Sequence, residues 1–518
     1  MSIPDKSNWS MSADVNPVLH GAAEWTEIVA MSATSETTPS VTTLSAERDA
    51  RQSGEAKAPA PPGVPLHSRS LDERAAEGKA LRVSVPRIRH AAWKRTEARA
   101  DPIDILHAAD ADRLPDLVPI RYGRMLQSPF AFYRGSAGVM AADLATMPTT
   151  GIKVQACGDC HLMNFGGFAT PERNILFDIN DFDETLPAPW EWDVKRLVAS
   201  FVLAARSIGL SDAKGRDAAV TCARSYRKHL REYSTMHPLD VWYARVTDQD
   251  IIATLPPTQR KPVQARIDKA LARNGSEVDF PKLAGMVGGR LGIRDTPPLI
   301  FHPEESRSPE FQAVIDQVFS AYRETLADDR RELLDRYRVV DAAIKVVGVG
   351  SVGRRCWIAL LMSASNDPLF LQLKEAVASV LEPYAGKSAY AHHGQRVVMG
   401  QRLMQPASDL FLGWVTAEAS GKQFYMRQLR DAKIKPLVET FDDELLRLYG
   451  QACGWALARA HAKASDVSAI GGYLGSSDQF DEAMGDFALA YADQAEKDHA
   501  ALKAAVRKGK ITAFQETA

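Results

Sequence analysis

Residues 157–193 read CGDCHLMNFGG, then a short connection, then DINDFDE and PWEWD. These residue types at this spacing could transfer a phosphoryl group. Asp159 and Asn164 stand in an Asp-x-x-x-x-Asn pattern, and Asp178, Asp181, Asp183 and Glu184 follow closely. In such chemistry one Asp orients the attacking hydroxyl and accepts its proton, while an Asn and a second Asp hold Mg²⁺ on nucleotide phosphates. The cation is needed because charge collects on the phosphoryl oxygens, and a hard cation prefers oxygen ligands. The short loop puts Asp159 and Asn164 on one rim. A hairpin over 165–180, with a turn at 170–172 and a strand at 174–177, brings a second carboxylate opposite them. Asp181 or Asp178 then stands just past that strand, where a metal ligand is wanted, and Asp183 is a further candidate.

The same residues carry other readings. An Asp and an Asn in a loop are ordinary turn formers. Cys157, Cys160 and His161 spell C-x-x-C-H, the attachment pattern of c-type haem. Haem attachment requires export, and the N-terminus has no basic region followed by an apolar run. Zinc would need more ligands, and Cys222, Cys356 and Cys453 supply no second close pair.

A second constellation lies far downstream. AIKVVGVGSVGRRCWIALLM carries Gly348, Gly350 and Gly353 in a G-x-G-x-x-G pattern. A dinucleotide fold needs a helix after these glycines, but CWIALL reads as a strand. A strand–glycines–strand hairpin is instead a flap that lies over phosphates. In LFLQLKEA, Lys374 stands in an apolar strand-like run, the place for a lysine that grips those phosphates. DLFLGW and QFYMRQL, at 409–414 and 423–429, read as two further strands. Upstream, Arg121, Arg124 and Arg134 precede GSAGVMAADLA, a helix start. They would suit either an anion or the acidic residues at 178–184.

GDCHLMN resembles the catalytic loop of aminoglycoside- and choline-kinase-like enzymes, with Cys157 where His is common in them. FAFYRGSA, GDCHLMNFG, FDINDFDE and WDVKRL together resemble the bacterial domain-of-unknown-function family 2252, over about 70–515. The kinase resemblance implies ATP and Mg²⁺ as cofactors. It makes Asp159 the base, Asn164 and Asp181 (or Asp178) the metal ligands, and Asp193 the helix carboxylate that braces the loop. The 348–353 glycines and Lys374 would hold phosphate. LYGQACGWALARAHAKASD resembles the helix that leads into such a loop, yet it follows the loop in this chain. The expected fold is therefore α+β, two-lobed and kinase-like in circularly permuted order, flap sheet after catalytic lobe, with extra helices.

Composition fits a soluble cytoplasmic enzyme. The chain has 518 residues, a net charge of −2 and five scattered cysteines. That argues for several domains and against a disulfide framework or a nucleic-acid footprint. No apolar run is long enough to span a membrane. Residues 1–66, rich in Ser, Thr, Ala and Pro, read as a disordered tail. A helical catalytic lobe is expected over 67–335, a sheet lobe over 336–435 and C-terminal helices over 436–518. Residues 193–209, 216–233, 448–463 and 478–510 read as amphipathic helices, and prolines mark loops within 245–310. The expected activity is an ATP/Mg-dependent phosphotransferase acting on a hydroxyl-bearing small molecule or protein. The alternatives are a nucleotide-binding pseudokinase that regulates a partner, and a metal-dependent hydrolase built on His161 and the carboxylates.

Overall fold

The computed structural model describes residues 68–272, 280–429 and 432–514, so the expected tail lies outside the described residues. The architecture is α+β. The first helix, Leu71–Ala80, opens on a capping box in which Ser70 and Glu73 exchange side-chain and backbone bonds.

Two small ribbons frame the Asp159 loop. β1 (Lys153–Ala156) enters it, and β2 (Phe165–Ala169) and β3 (Ile175–Ile179) leave it as an antiparallel hairpin. β4 (Leu186–Pro189) returns to pair with β1, so the acidic stretch 180–185 is a closed loop between two ribbons. β4 runs directly into the helix Trp190–Ser207. Its sequence reads as amphipathic, with one face for water, but the helix is buried on every side from Trp190 to Ala205. It packs against Asp212–Tyr233, Asp443–Lys463 and Gln479–Arg507, and Trp190 stacks on Tyr226 with ring centroids 5.8 Å apart. Its buried charges are therefore held by partners rather than by water.

The second body begins earlier than the sequence suggests. β5 (Ala284–Val287) and β6 (Arg290–Ile293) form a hairpin, and β7 (Ile300–Phe301) joins a six-stranded antiparallel sheet. The other strands are β8 (Tyr337–Lys345), β9 (Cys356–Ser363), β10 (Pro368–Glu375), β11 (Gly413–Ala417) and β12 (Lys422–Gln428). The spatial order is β11-β12-β10-β9-β8-β7. Strand periodicity sorts the sheet's two faces. Ala359, Leu361, Leu371 and Leu373 meet Phe311, Val318 and Tyr322 of the helix Pro309–Arg323. Ile358, Leu360 and Phe370 meet Leu283 and Ile293 on the other side. Residues 280–334, expected in the helical lobe, thus belong to the sheet's packing. Asp409–Leu412 is not strand: the Asp409 carboxylate accepts the N–H groups of Phe411 and Gln428, both at 2.7 Å, and β11 starts only after that turn. Pro256 and Pro257 do not simply mark a loop; they cap and open the helix Pro257–Leu271, where a missing N–H costs nothing.

Candidate active site

Four anchors fix the Asp159 loop. Gly158 has φ +84°, and a Cβ there would be driven into the carbonyl oxygen of Glu184, so glycine is required twice over. Asp193, in the first turn of the buried helix, accepts the N–H groups of Cys157 at 2.6 Å and Gly158 at 2.9 Å. His461 Nε2 lies 3.2 Å from the same carboxylate. Asn164 donates its amide N–H to the Asp159 carbonyl at 2.8 Å, which leaves its Oδ1 as the oxygen it can offer a cation. From below, the C-terminal end of Asp443–Lys463 closes the set: the N–H of Gln155 reaches the Ala464 carbonyl at 3.3 Å.

Asp159 itself is half engaged. Its Oδ1 accepts from Arg196 Nε at 2.8 Å and from a second Arg196 nitrogen, while Oδ2 lies 3.7 Å from His161 Nε2. Burial raises the carboxyl's pKa and Arg196 works against that rise. His161 is held well below its ordinary range, first by burial and then by Arg134 and Arg196, so it is neutral at pH 7.

The acidic loop meets the sheet at Lys374. Gln372 and Lys374 share the face of β10 opposite Leu373. Lys374 Nζ lies 2.5 Å from Asp183 Oδ2 and 3.8 Å from Asp181 Oδ2. Tyr425, directly across from Lys374 in the β10–β12 register, donates its hydroxyl to Asp183 Oδ1 at 2.5 Å. Burial opposes charge on Asp183, but Lys374 and Tyr425 outweigh it and the pKa is lowered. Asp181 goes the other way, raised by burial and by Asp183 beside it. Burial likewise opposes charge on Lys374, but Asp181 and Asp183 hold its ammonium well above the ordinary range.

The glycine segment arches between β8 and β9 onto the helical body. Arg124 donates to the Gly348 carbonyl at 2.7 Å, Arg113 to that of Val352, and the Leu114 N–H to that of Gly353 at 2.8 Å. A Cβ on Gly350 would lie 3.2 Å from the Arg134 carbonyl. Beneath this arch is a cavity of about 470 Å³ whose wall includes Asp159, Asn164, Asp181, Asp183, Gly348 and Gly350. The structure therefore brings these six residues together, with Lys374 bonded to the wall. Gly353 is not on the wall; it packs on the Arg113 side chain. Asp178 is not there either: it is buried on β3 against Arg459, and burial pushes its pKa up to about 6 against that pull. Among the described residues no group of three or more His, Cys, Asp or Glu side chains is placed to hold a metal ion. Asn164 Oδ1 and Asp181 are hard oxygen donors of the kind that suits Mg²⁺ when phosphates and water complete its shell.

Residues 113–505 match the family model described as an uncharacterized protein conserved in bacteria, DUF2252. The chain belongs to this family. The matched stretch of this DUF2252 chain takes in the whole cavity wall except Ile105, Leu106, Ala108 and Ala109. No curated protein and no solved structure matches it. Several residues that shape the DUF2252 site escape a reading of the sequence. Arg196 had a signal: it stands one helical turn after Asp193 in WDVKRL, so both face the loop. Arg396 had none. It reaches from the helix His393–Met404 to the carbonyls of Thr185 at 2.6 Å, Asp183 at 2.8 Å and Val377 at 2.9 Å, strapping the acidic loop to the end of β10.

Proposed function

We propose that this protein is a kinase-like phosphotransferase that uses ATP with Mg²⁺ and acts on a hydroxyl-bearing acceptor. One observation carries the reading. Residues from two remote segments, Asp159, Asn164 and Asp181 on one side and Gly348 and Gly350 on the other, line a single cavity, and Lys374 reaches Asp181. Phosphoryl transfer needs this convergence whatever the chain order. The glycine hairpin β8–β9 followed by a lysine on the next strand is also the order of a kinase flap. A circularly permuted fold is supported by the Ala464 bond to β1, which sets the end of the last long buried helix of the loop's floor at the loop's entrance.

In this reading the acceptor hydroxyl lies at Asp159 Oδ2, because Oδ1 is engaged by Arg196. Asp159 takes the proton, and Arg196 holds the carboxylate's orientation. Asp193 keeps the loop in register through two N–H bonds. Bound Mg²⁺ would neutralise charge on the phosphates, with Asn164 and Asp181 as its protein ligands. The Gly350 backbone can approach a phosphate closely because no side chain intervenes.

The pseudokinase reading has an observation of its own. Lys374 is already paired with Asp183 and Asp159 with Arg196, so each reactive group carries a protein counter-charge. In protein kinases the lysine's partner sits on a helix, and here it sits on the acidic loop. A melting-temperature series over nucleotides, with and without Mg²⁺, followed by an assay of phosphate release, decides between them. Stabilisation with turnover is expected, and at a ligand concentration of 100 Kd the stabilisation is about 2.7 kcal/mol. Stabilisation without turnover selects the pseudokinase, and no stabilisation by any nucleotide rejects both.

A further inference from the structure

Four arginines line the cavity, and they divide into two kinds. Arg113 donates to the carbonyls of Val352 and Ala109, and Arg121 to Asp110 and the Gly135 carbonyl. The side chains of these two are engaged by the protein, although Arg121 also keeps a buried Nε without a partner among the described residues. Arg134 and Arg354 are not engaged in this way. Arg134 leaves its buried Nε, and Arg354 a buried terminal nitrogen, with no hydrogen-bond partner among the described residues. A buried unsatisfied N–H is costly to the fold, and more so on a charged group. The two arginines flank the same arch. Arg134 lies under Gly350 through its carbonyl, and Arg354 follows the last of the three glycines. Arg134 and Arg354 line the same cavity wall as Asp159. Lysine Lys374, by contrast, is turned to Asp183.

From this we infer that Arg134 and Arg354 form an oxyanion subsite beside Asp159, and that the acceptor carries an anionic group, a phosphate or carboxylate, which they hold. The inference rests on the phosphotransferase reading for the word acceptor, but the subsite itself does not. A planar guanidinium donates two parallel bonds to either anion, and a desolvated wall strengthens them. Such a subsite would fix the acceptor so that its hydroxyl reaches Asp159 Oδ2, and would set the enzyme's choice among alcohols.

Inorganic phosphate is the probe, titrated calorimetrically onto the full chain without nucleotide or metal, and then in the presence of saturating ADP and Mg²⁺. Saturable binding is expected, weakened roughly tenfold to a hundredfold in Arg134→Gln and in Arg354→Gln, the loss of one or two charged hydrogen bonds. Arg206→Gln, at a surface ion pair, should bind as the wild type does. If Arg134→Gln proves misfolded by circular dichroism, Arg354→Gln carries the test alone. Phosphate and ADP bound together support the acceptor assignment. Mutual exclusion overturns it, because the arginines then serve the nucleotide's own phosphates. Absence of saturable phosphate binding, or binding that neither substitution alters, overturns the subsite. A failure of nucleotide binding alone would reject the phosphotransferase while leaving the subsite standing.

Discussion

Asp159 shows how one carboxylate can be both fixed and free. Arg196 takes Oδ1, and that pairing leaves Oδ2 as the only oxygen able to accept a proton. Asp159→Asn should keep the Arg196 contact through its amide oxygen, and nucleotide binding should survive. Turnover should drop by about 10² to 10⁴, the usual range for a lost general base. A steady-state assay with a parallel binding titration checks this, and full turnover in the variant would remove Asp159 from the mechanism. Asp159, Asn164 and Asp181 were legible because chemistry-bearing residues crowd a short window between turn formers. Which of Asp178, Asp181 and Asp183 line the cavity was not. Side chains alternate from face to face along a strand and lose that rule at its end, so Asp178 turns inward to Arg459 and Asp183 outward to Lys374.

The glycine arch is an element held shut by its neighbours. Three donors from 113–124 bind its carbonyls, and Gly350 touches the backbone of Arg134. Gly350→Val should lift the arch by crowding that carbonyl. We expect nucleotide affinity to fall roughly tenfold, about 1.4 kcal/mol, with the unliganded melting temperature within about 2 °C of wild type. Unchanged affinity would mean that the arch does not cover the ligand. The hairpin was legible as strand–glycines–strand, and Lys374 as a cation inside an apolar run. Its attachment to the helical body was not: Arg124 reads as a partner for an anion or for the acidic residues at 178–184, yet it holds the Gly348 carbonyl, and nothing in the sequence marks Arg113. The assignment of 280–334 to the sheet was also hidden. Its strands are two to four residues long, and the helix Pro309–Arg323 shows an apolar stripe without showing what it packs on.

For the molecule as a whole, a buried histidine ties stability to pH on the acid side. His90 is fully buried, bonded to Tyr473 at 2.7 Å, and burial lowers its pKa from 6.5 to about 3. Above pH 6.5 it is neutral in both folded and unfolded chains and its contribution is complete. Between 6.5 and 3 only the unfolded chain takes the proton, so stability is lost as pH falls, by about 1.4 kcal/mol per unit for each such histidine. Denaturant unfolding from pH 7 to 4 should show this slope, and His90→Gln should flatten it; an equally steep slope in the variant would exonerate His90. The chain order has a different kind of consequence. A ribosome extrudes Asp159 and its loop long before Arg459, His461 and Ala464, which form the loop's floor. Arg196 and Lys374 are made sooner, but Asp178 and the loop's entrance must wait for a helix made near the end of synthesis. A chain that stops shortly before 443 therefore carries Asp159, Asn164, Asp181 and Lys374, with Asp193 and Arg196 beside them, but lacks the floor that Arg459, His461 and Ala464 supply. The order of synthesis thus constrains assembly: the loop is made first, and the helix that floors it is made nearly three hundred residues later.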